Sequence, residues 1–184
     1  MKIDPQTGLL TGVSYIPSPN CDARPQDLLI DLLVLHGISL PPSTFGGPEI
    51  IDFFCNKLDG SQHPFFKEIA ELRVSSHVLI RRTGEILQFV PFHKRAWHAG
   101  VSQFQGRSQC NDFSIGIELE GADDIAYEKL QYEKLAELVK VMLATYPDIT
   151  RDKILGHSEI APDRKTDPGS AFDWAYFHSL LEGN

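Results

Sequence analysis

The sequence predicts an α/β domain in which helices flank one central mixed β-sheet, and three segments carry that expectation. Residues 30–36, IDLLVLH, form a short apolar run, continuous from Leu32 to Leu35 and ending in a histidine, the pattern of a strand buried on both faces. Residues 113–121, FSIGIELEG, alternate. Ile115, Ile117 and Leu119 fall on one face of a strand, and Ser114, Gly116, Glu118 and Glu120 on the other. Residues 127–146 place Leu135, Leu138, Val139, Met142 and Leu143 at helical spacing, and Tyr146-Pro147 ends that helix, because the residue before a proline is driven out of the helical region.

The remaining elements fall between these anchors. After the first strand, SLPPSTFGG reads as a loop. PEIIDFFCNKL follows as a short helix, with Pro48 suited to its first position and Ile50, Phe53 and Phe54 on one face. HPFFKEIAELR is a second short helix opened by Pro64. Residues 76–90 form a hairpin that turns near Thr83-Gly84. Ile154-Leu155 makes a very short strand, and a last amphipathic helix runs from about Asp173, an apt N-cap, to Leu181. Strand, helices, hairpin, strand, helix, strand, helix is an order that one mixed sheet with covered faces accommodates.

Bulk properties set limits. A chain of 184 residues supports one domain with a full core, here residues 1–184. Hydrophobic residues are 42% and charged residues 23%, an ordinary globular balance. The net charge of −8 disfavours nucleic acid and anionic membranes as partners. No segment is long and apolar enough for a membrane helix, and MKIDPQTGLL lacks the apolar core of a signal peptide. Cys21, Cys55 and Cys110 are odd in number and widely spaced, which suits free thiols in a reducing compartment rather than a disulfide framework or a metal site.

One polar stretch resists a structural role. GHSEIAPDRKTDPG, residues 156–169, has little to bury, and Pro162 and Pro168 are expected to exclude regular structure from it. It holds His157, Lys165 and Asp167. With His36 at the end of the first strand, two imidazoles and a carboxylate form the donor set of a catalytic zinc site that keeps one position open. A lone histidine ending an apolar strand is more often a hydrogen-bonded core residue, so this spacing alone is a weak signal. Lys165 and Asp167 are two apart and face the same way in an extended loop. Glu118, beside small Ser114 and Gly116, is either a solvated strand residue or a general base with room for substrate next to it. Trp97 and His98 adjoin a turn and suit a sugar or peptide platform, while Arg73 and Arg107 could clamp substrate carboxylates. His77 suits a supporting or core position; His63, His93 and His178 suit structural or exposed ones.

The motifs then show a resemblance. IPSPNCDARP, HGISLPP, FGGPEI, HPFF, LRVSSH, LIRRTGEI, KRAWHAGVS, CNDFSIGIELEG, YPDI, GHSEIAPDRKTDPG and PGSAFDW span nearly the whole chain. Together they resemble the AmpD-type 1,6-anhydro-N-acetylmuramoyl-L-alanine amidases, part of a zinc amidase group that includes phage lysozyme-type amidases and peptidoglycan recognition proteins. The resemblance implies one zinc ion on His36, His157 and Asp167, and catalytic roles for Glu118 and Lys165. Other branches of the group use a cysteine as third ligand and a tyrosine before the histidine matching His77; Asp167 and Ser76 stand there in this chain. Gly37 and Gln109 replace an expected asparagine and arginine at substrate-contact positions. The implied substrate is a small soluble anhydro-muropeptide in the cytoplasm, cut in a step of peptidoglycan recycling that limits β-lactamase induction, with no obligate protein partner. The alternatives are a broad amidase that also cuts intact peptidoglycan, and a muropeptide-binding module without catalysis.

Overall fold

The computed structural model describes residues 1–183. Strands β1 (Ser14–Tyr15) and β2 (Cys21–Ala23) precede the long β3 (Leu32–Ile38). Helices α1 (Glu49–Phe54) and α2 (Pro64–Ile69) follow, then the hairpin β4 (Val78–Ile80) and β5 (Ile86–Gln88). Next come β6 (Lys94–Ala96), the ribbon β7 (Gln103–Phe104) and β8 (Arg107–Ser108), the long β9 (Ser114–Glu120) and helix α3 (Lys129–Thr145). Strand β10 (Ile154–Gly156) and helices α4 (His157–Ile160) and α5 (Trp174–Glu182) complete the order.

The main sheet runs β1-β5-β4-β9-β3-β10. Only β4 and β5 pair antiparallel; every other neighbouring pair is parallel, so the sheet is mixed, as expected. Strands β3 and β9 lie inside it, and all seven residues of β9 are buried, Glu118 and Glu120 included. Strand β3 is likewise buried from Leu32 to His36, which explains the apolar run Leu32–Leu35 within IDLLVLH.

Alternation assigns the two faces. Leu33, Leu35, Val78, Ile80, Ile115, Ile117 and Leu119 pack against Leu135, Leu138, Val139 and Met142 of α3 and Phe177 and Leu181 of α5. Each such burial contributes about 1.5–3 kcal/mol, and these contacts supply most of what fixes the helices. On the opposite face, Leu79 and Leu87 meet Phe53, Phe54 and Phe66 of α1 and α2. Leu32 and Val34 meet Ala99, Cys110, Phe113 and Ile160. His36 of β3 and Ser114, Gly116, Glu118 and Glu120 of β9 share this second face with Leu32 and Val34, and they make it polar where the apolar clusters end.

Several boundaries differ from the sequence expectation. Strand β3 continues two residues past His36, because Gly37 and Ile38 pair with Leu119 and Glu120. Helix α1 begins after Pro48, which caps it instead of opening it. Asp173 does cap α5, its carboxylate accepting from Tyr176 N at 2.8 Å. The polar stretch 156–169 is not wholly irregular: it opens with α4, since a proline at 162 leaves the turn before it free to form. The β2–β6 and β7–β8 ribbons lie outside the main sheet.

Arg24, just after β2, is a partly buried cation held by carbonyls. It donates to Asn111 O at 3.1 Å, Asp112 O at 3.0 Å and Ser114 O at 2.8 Å, tying the loop before β9 to the sheet.

Candidate active site

Strand register builds the site. His36 is directly opposite Glu118 on the neighbouring parallel strand. Leu35 is opposite Gly156 on β10, so the next residue on each chain, His36 and His157, stand side by side. Helix α4 starts at His157, where the Glu159 carboxylate accepts from Gly156 N at 2.7 Å. The chain then returns so that Ser158 N donates to Asp167 O at 3.0 Å and the Tyr127 hydroxyl donates to Pro168 O at 2.8 Å. Those two bonds set Asp167 beside the histidines.

Three donor atoms converge as a result. His36 Nδ1 is 3.0 Å from His157 Nδ1 and 3.1 Å from Asp167 Oδ2, and His157 Nδ1 is 3.2 Å from Asp167 Oδ2. A tetrahedral zinc ion with bonds of about 2.0–2.1 Å separates its ligands by about 3.3 Å, so the triangle fits such an ion. The outward nitrogens are also occupied: His36 Nε2 lies 2.9 Å from His98 Nδ1, and His157 Nε2 lies 3.0 Å from Ala99 O. Burial opposes ionisation of Asp167, yet its close polar contacts with His157 and His36 outweigh it and hold its carboxyl far below the usual range. Burial pushes His36 down to about 4 against the pull of Asp167, so the ring is neutral and able to offer a lone pair.

Glu118 and Lys165 complete the constellation. Both line, with the three donors, a cavity of about 400 Å³. Glu118 Oε2 is buried without a hydrogen-bond partner. Burial raises its carboxyl well above the ordinary value; Asp167 adds to the shift and Lys165 opposes it. An orphaned, hard-to-ionise carboxylate beside a donor triangle is poised for proton transfer. Phe53, Phe54, Phe65, Ile69 and Leu72 supply an apolar part of the lining of the same cavity.

The other expected site residues divide. Trp97 and Gly37 line the cavity. Gly37 leaves room for the Tyr127 hydroxyl, which a Cβ there would strike. His98 reaches the cavity too, but both its ring nitrogens are engaged inside the protein, by His36 at 2.9 Å and by Ser114 Oγ at 3.1 Å, which leaves none for a sugar or peptide. Arg73 does not line the cavity: it is exposed and bonds Ala70 O and Leu72 O. Arg107 does not either; it grips Asp31 at 2.9–3.2 Å and lies over the Phe113 ring at 3.9 Å. Gln109 caps a short turn in the exposed loop before β9. The small residues beside Glu118 admit His98 rather than substrate, since a Cβ at Gly116 would collide with its ring.

Two supporting residues escaped sequence reasoning. Asn111 Oδ1 accepts from His98 N at 3.0 Å and Ala99 N at 2.7 Å, which fixes the turn that meets both candidate histidine ligands. Ser114 contacts His98 from below. Ser114 was legible only as a small neighbour of Glu118, and Asn111 carries no sequence signal beyond its position in CNDFS.

A mixed α/β sheet with a His–His–carboxylate triangle that fits a metal ion, and an unpaired glutamate in the same cleft, has the layout expected of a metal-dependent hydrolase. Comparison with known proteins narrows this. The N-acetylmuramoyl-L-alanine amidase family profile matches residues 26–170. The 1,6-anhydro-N-acetylmuramyl-L-alanine amidase AmpD of Escherichia coli (strain K12) is 59% identical over 176 residues, covering 96% of each chain. A crystal structure of a selenomethionine AmpD derivative superposes with a TM-score of 0.94 at 55% identity, covering 98% of this chain and 99% of that one. AmiD from E. coli, in complex with anhydro-N-acetylmuramic acid-L-Ala-D-gamma-Glu-L-Lys, gives a TM-score of 0.61 at 30% identity, covering 85% of this chain and 60% of that one. The chain belongs to the N-acetylmuramoyl-L-alanine amidase family, in its AmpD-type branch.

Proposed function

We propose that this amidase hydrolyses the bond between the lactyl carbonyl of 1,6-anhydro-N-acetylmuramic acid and L-alanine in soluble muropeptides, with one zinc ion on His36, His157 and Asp167. The observation that carries the proposal is the convergence of three donor atoms at 3.0–3.2 Å beside an orphaned glutamate. A zinc ion in that triangle supplies Lewis acidity toward the scissile carbonyl and makes water more acidic.

The chain's own groups do the rest. Glu118, its basicity raised by burial, takes a proton from the attacking water and delivers it to the leaving amine. Lys165 places its ammonium where the carbonyl oxygen gains negative charge. The apolar lining from Phe53, Phe54, Phe65, Ile69 and Leu72 keeps water from part of the cleft and so strengthens both interactions. The setting that suits this chemistry is the cytoplasm, as a recycling step that removes the muropeptide signal for β-lactamase induction. Three free cysteines and a net charge of −8 agree with that location and with a small substrate instead of an anionic wall polymer.

Elemental analysis beside a turnover assay tests the proposal. We expect one zinc per chain, release of peptide from purified anhydro-muropeptide, and little release from intact sacculi. Asp167→Ala should lose both metal and turnover. A fully loaded, active Asp167→Ala protein would remove the ligand set, and equal release from sacculi would remove the substrate assignment.

A further inference from the structure

Ser114 is wholly buried at the start of β9, away from the cleft. Its hydroxyl nevertheless dictates the hydrogen bonding of a candidate metal ligand. Ser114 Oγ lies 2.5 Å from Cys110 O, and a carbonyl only accepts, so the serine gives its single proton there. Its second contact is His98 Nε2 at 3.1 Å, where the oxygen must therefore accept and His98 must carry a proton on Nε2. A neutral imidazole protonated on Nε2 has a bare Nδ1. His98 Nδ1 lies 2.9 Å from His36 Nε2, which must donate to it. The remaining nitrogen of His36, Nδ1, is then bare, and it is the atom that faces His157 Nδ1 and Asp167 Oδ2.

We propose that Ser114 and His98 are positioning residues that hold His36 in the tautomer whose Nδ1 lone pair faces the donor triangle, and so raise the affinity of the site for zinc. The inference rests on the zinc assignment above. The relay has an opponent: Asp167 Oδ2, 3.1 Å from His36 Nδ1, attracts a proton to that nitrogen and favours the tautomer that cannot bind metal. Rigidity lets the relay prevail. Gly116 gives the His98 ring its space, and Asn111 Oδ1 holds the His98 and Ala99 amides. Ala99 O then accepts from His157 Nε2 at 3.0 Å, so one turn orients both histidine ligands. Outer partners of this kind typically change metal affinity by about 10- to 100-fold.

The test compares wild type with Ser114→Ala, His98→Leu and His98→Asn, the last keeping an acceptor where Nδ1 stood. Zinc affinity is measured by competition with a chelator. The His36 tautomer is read in chelator-treated protein from imidazole nitrogen shifts, and thermal unfolding of the metal-free proteins reports the fold. We expect wild-type His36 to be protonated on Nε2. Ser114→Ala and His98→Leu should bind zinc about 10- to 100-fold more weakly, with mixed His36 tautomers in Ser114→Ala, and His98→Asn should recover part of the loss. Folded Ser114→Ala and His98→Leu proteins that bind zinc like wild type overturn the relay alone. If those variants fail to fold, the wild-type spectrum decides, and a His36 proton on Nδ1 overturns it. A wild type that binds no zinc overturns the relay and the zinc assignment together.

Discussion

His36 and Glu118 are register partners on β3 and β9, two adjacent parallel strands in the interior of the sheet. Their side chains leave the same face, so the candidate ligand and the candidate base are separated by a distance that ladder hydrogen bonds set. Lys165 and Asp167 arrive differently, on a loop fastened by Ser158 N to Asp167 O and by Tyr127 to Pro168 O. One half of the site is thus framework and the other half is a tethered return. The framework half carries the candidate base Glu118, and the tethered half carries Lys165 and Asp167.

Glu118→Gln separates chemistry from folding. The substitution keeps shape while removing a buried carboxyl that has no partner on Oε2 and that burial already drives toward its neutral form. Turnover at saturating substrate should fall by about 10²- to 10⁴-fold, the usual worth of a positioned acid–base group. The thermal midpoint should hold or rise, because an amide is easier to bury than a carboxylate. Near-normal turnover would assign the base elsewhere.

Lys165→Ala should act on turnover and spare stability. The Lys165 ammonium forms no ion pair or hydrogen bond with the described residues, its only such bond being backbone N to Ala161 O at 2.9 Å, so the fold does not depend on its charge. If its ammonium meets the developing oxyanion, kcat falls by about 10²- to 10³-fold while KM changes little. An unchanged kcat with a raised KM would make it a substrate-binding group only.

How much of this was legible in the sequence follows from where each signal is stored. IDLLVLH announces a buried strand because both faces of β3 are covered; FSIGIELEG alternates and announces only one apolar face, although the structure buries all of β9, and the α3 periodicity likewise records one apolar face. The donor types at 36, 157 and 167 were readable; their convergence is a matter of the β3–β10 register, which pairs Leu35 with Gly156. Ser114 and Gly116 were readable as small neighbours of Glu118. The sequence does not say that a histidine sixteen residues earlier fills the space they leave. Arg107 is likewise visible as a cation, but its partner Asp31 lies 76 residues away. The β2–β6 ribbon depends on a similarly distant pair, Asp22 and Arg95, bonded at 2.6 Å, and no local pattern forecasts it.

Arg107→Ala should therefore leave substrate binding intact. The guanidinium is spent on Asp31 and on the Phe113 face, outside the cavity. KM should stay within about twofold, and stability should fall by about 1 kcal/mol, the scale of a partly exposed ion pair with a cation–π contact. Asp31 keeps Lys153 at 3.3 Å, which limits the loss. A tenfold rise in KM, about 1.4 kcal/mol of binding, would return Arg107 to the substrate site.

His77 makes a separate, pH-linked prediction. Its ring is wholly buried: Gly116 N donates to Nδ1 and Nε2 lies 3.0 Å from Lys94 O. Burial, then the neighbouring Arg24 guanidinium, push its pKa down to about 3, with His36 adding a little and the His98 ring lying nearby. In the unfolded chain the imidazole titrates near 6.5. Below that value the unfolded state takes up a proton that the folded state refuses, so stability is complete above about pH 6.5 and drains as pH falls toward about 3. His77→Gln deletes this one proton. Denaturant unfolding of chelator-treated protein should show wild type losing about 1 kcal/mol more than His77→Gln between about pH 6 and pH 5. At neutral pH the variant itself is weaker, because glutamine does not reproduce both ring contacts. Parallel pH profiles for the two proteins would mean that the folded protein protonates His77 as readily as the unfolded chain does.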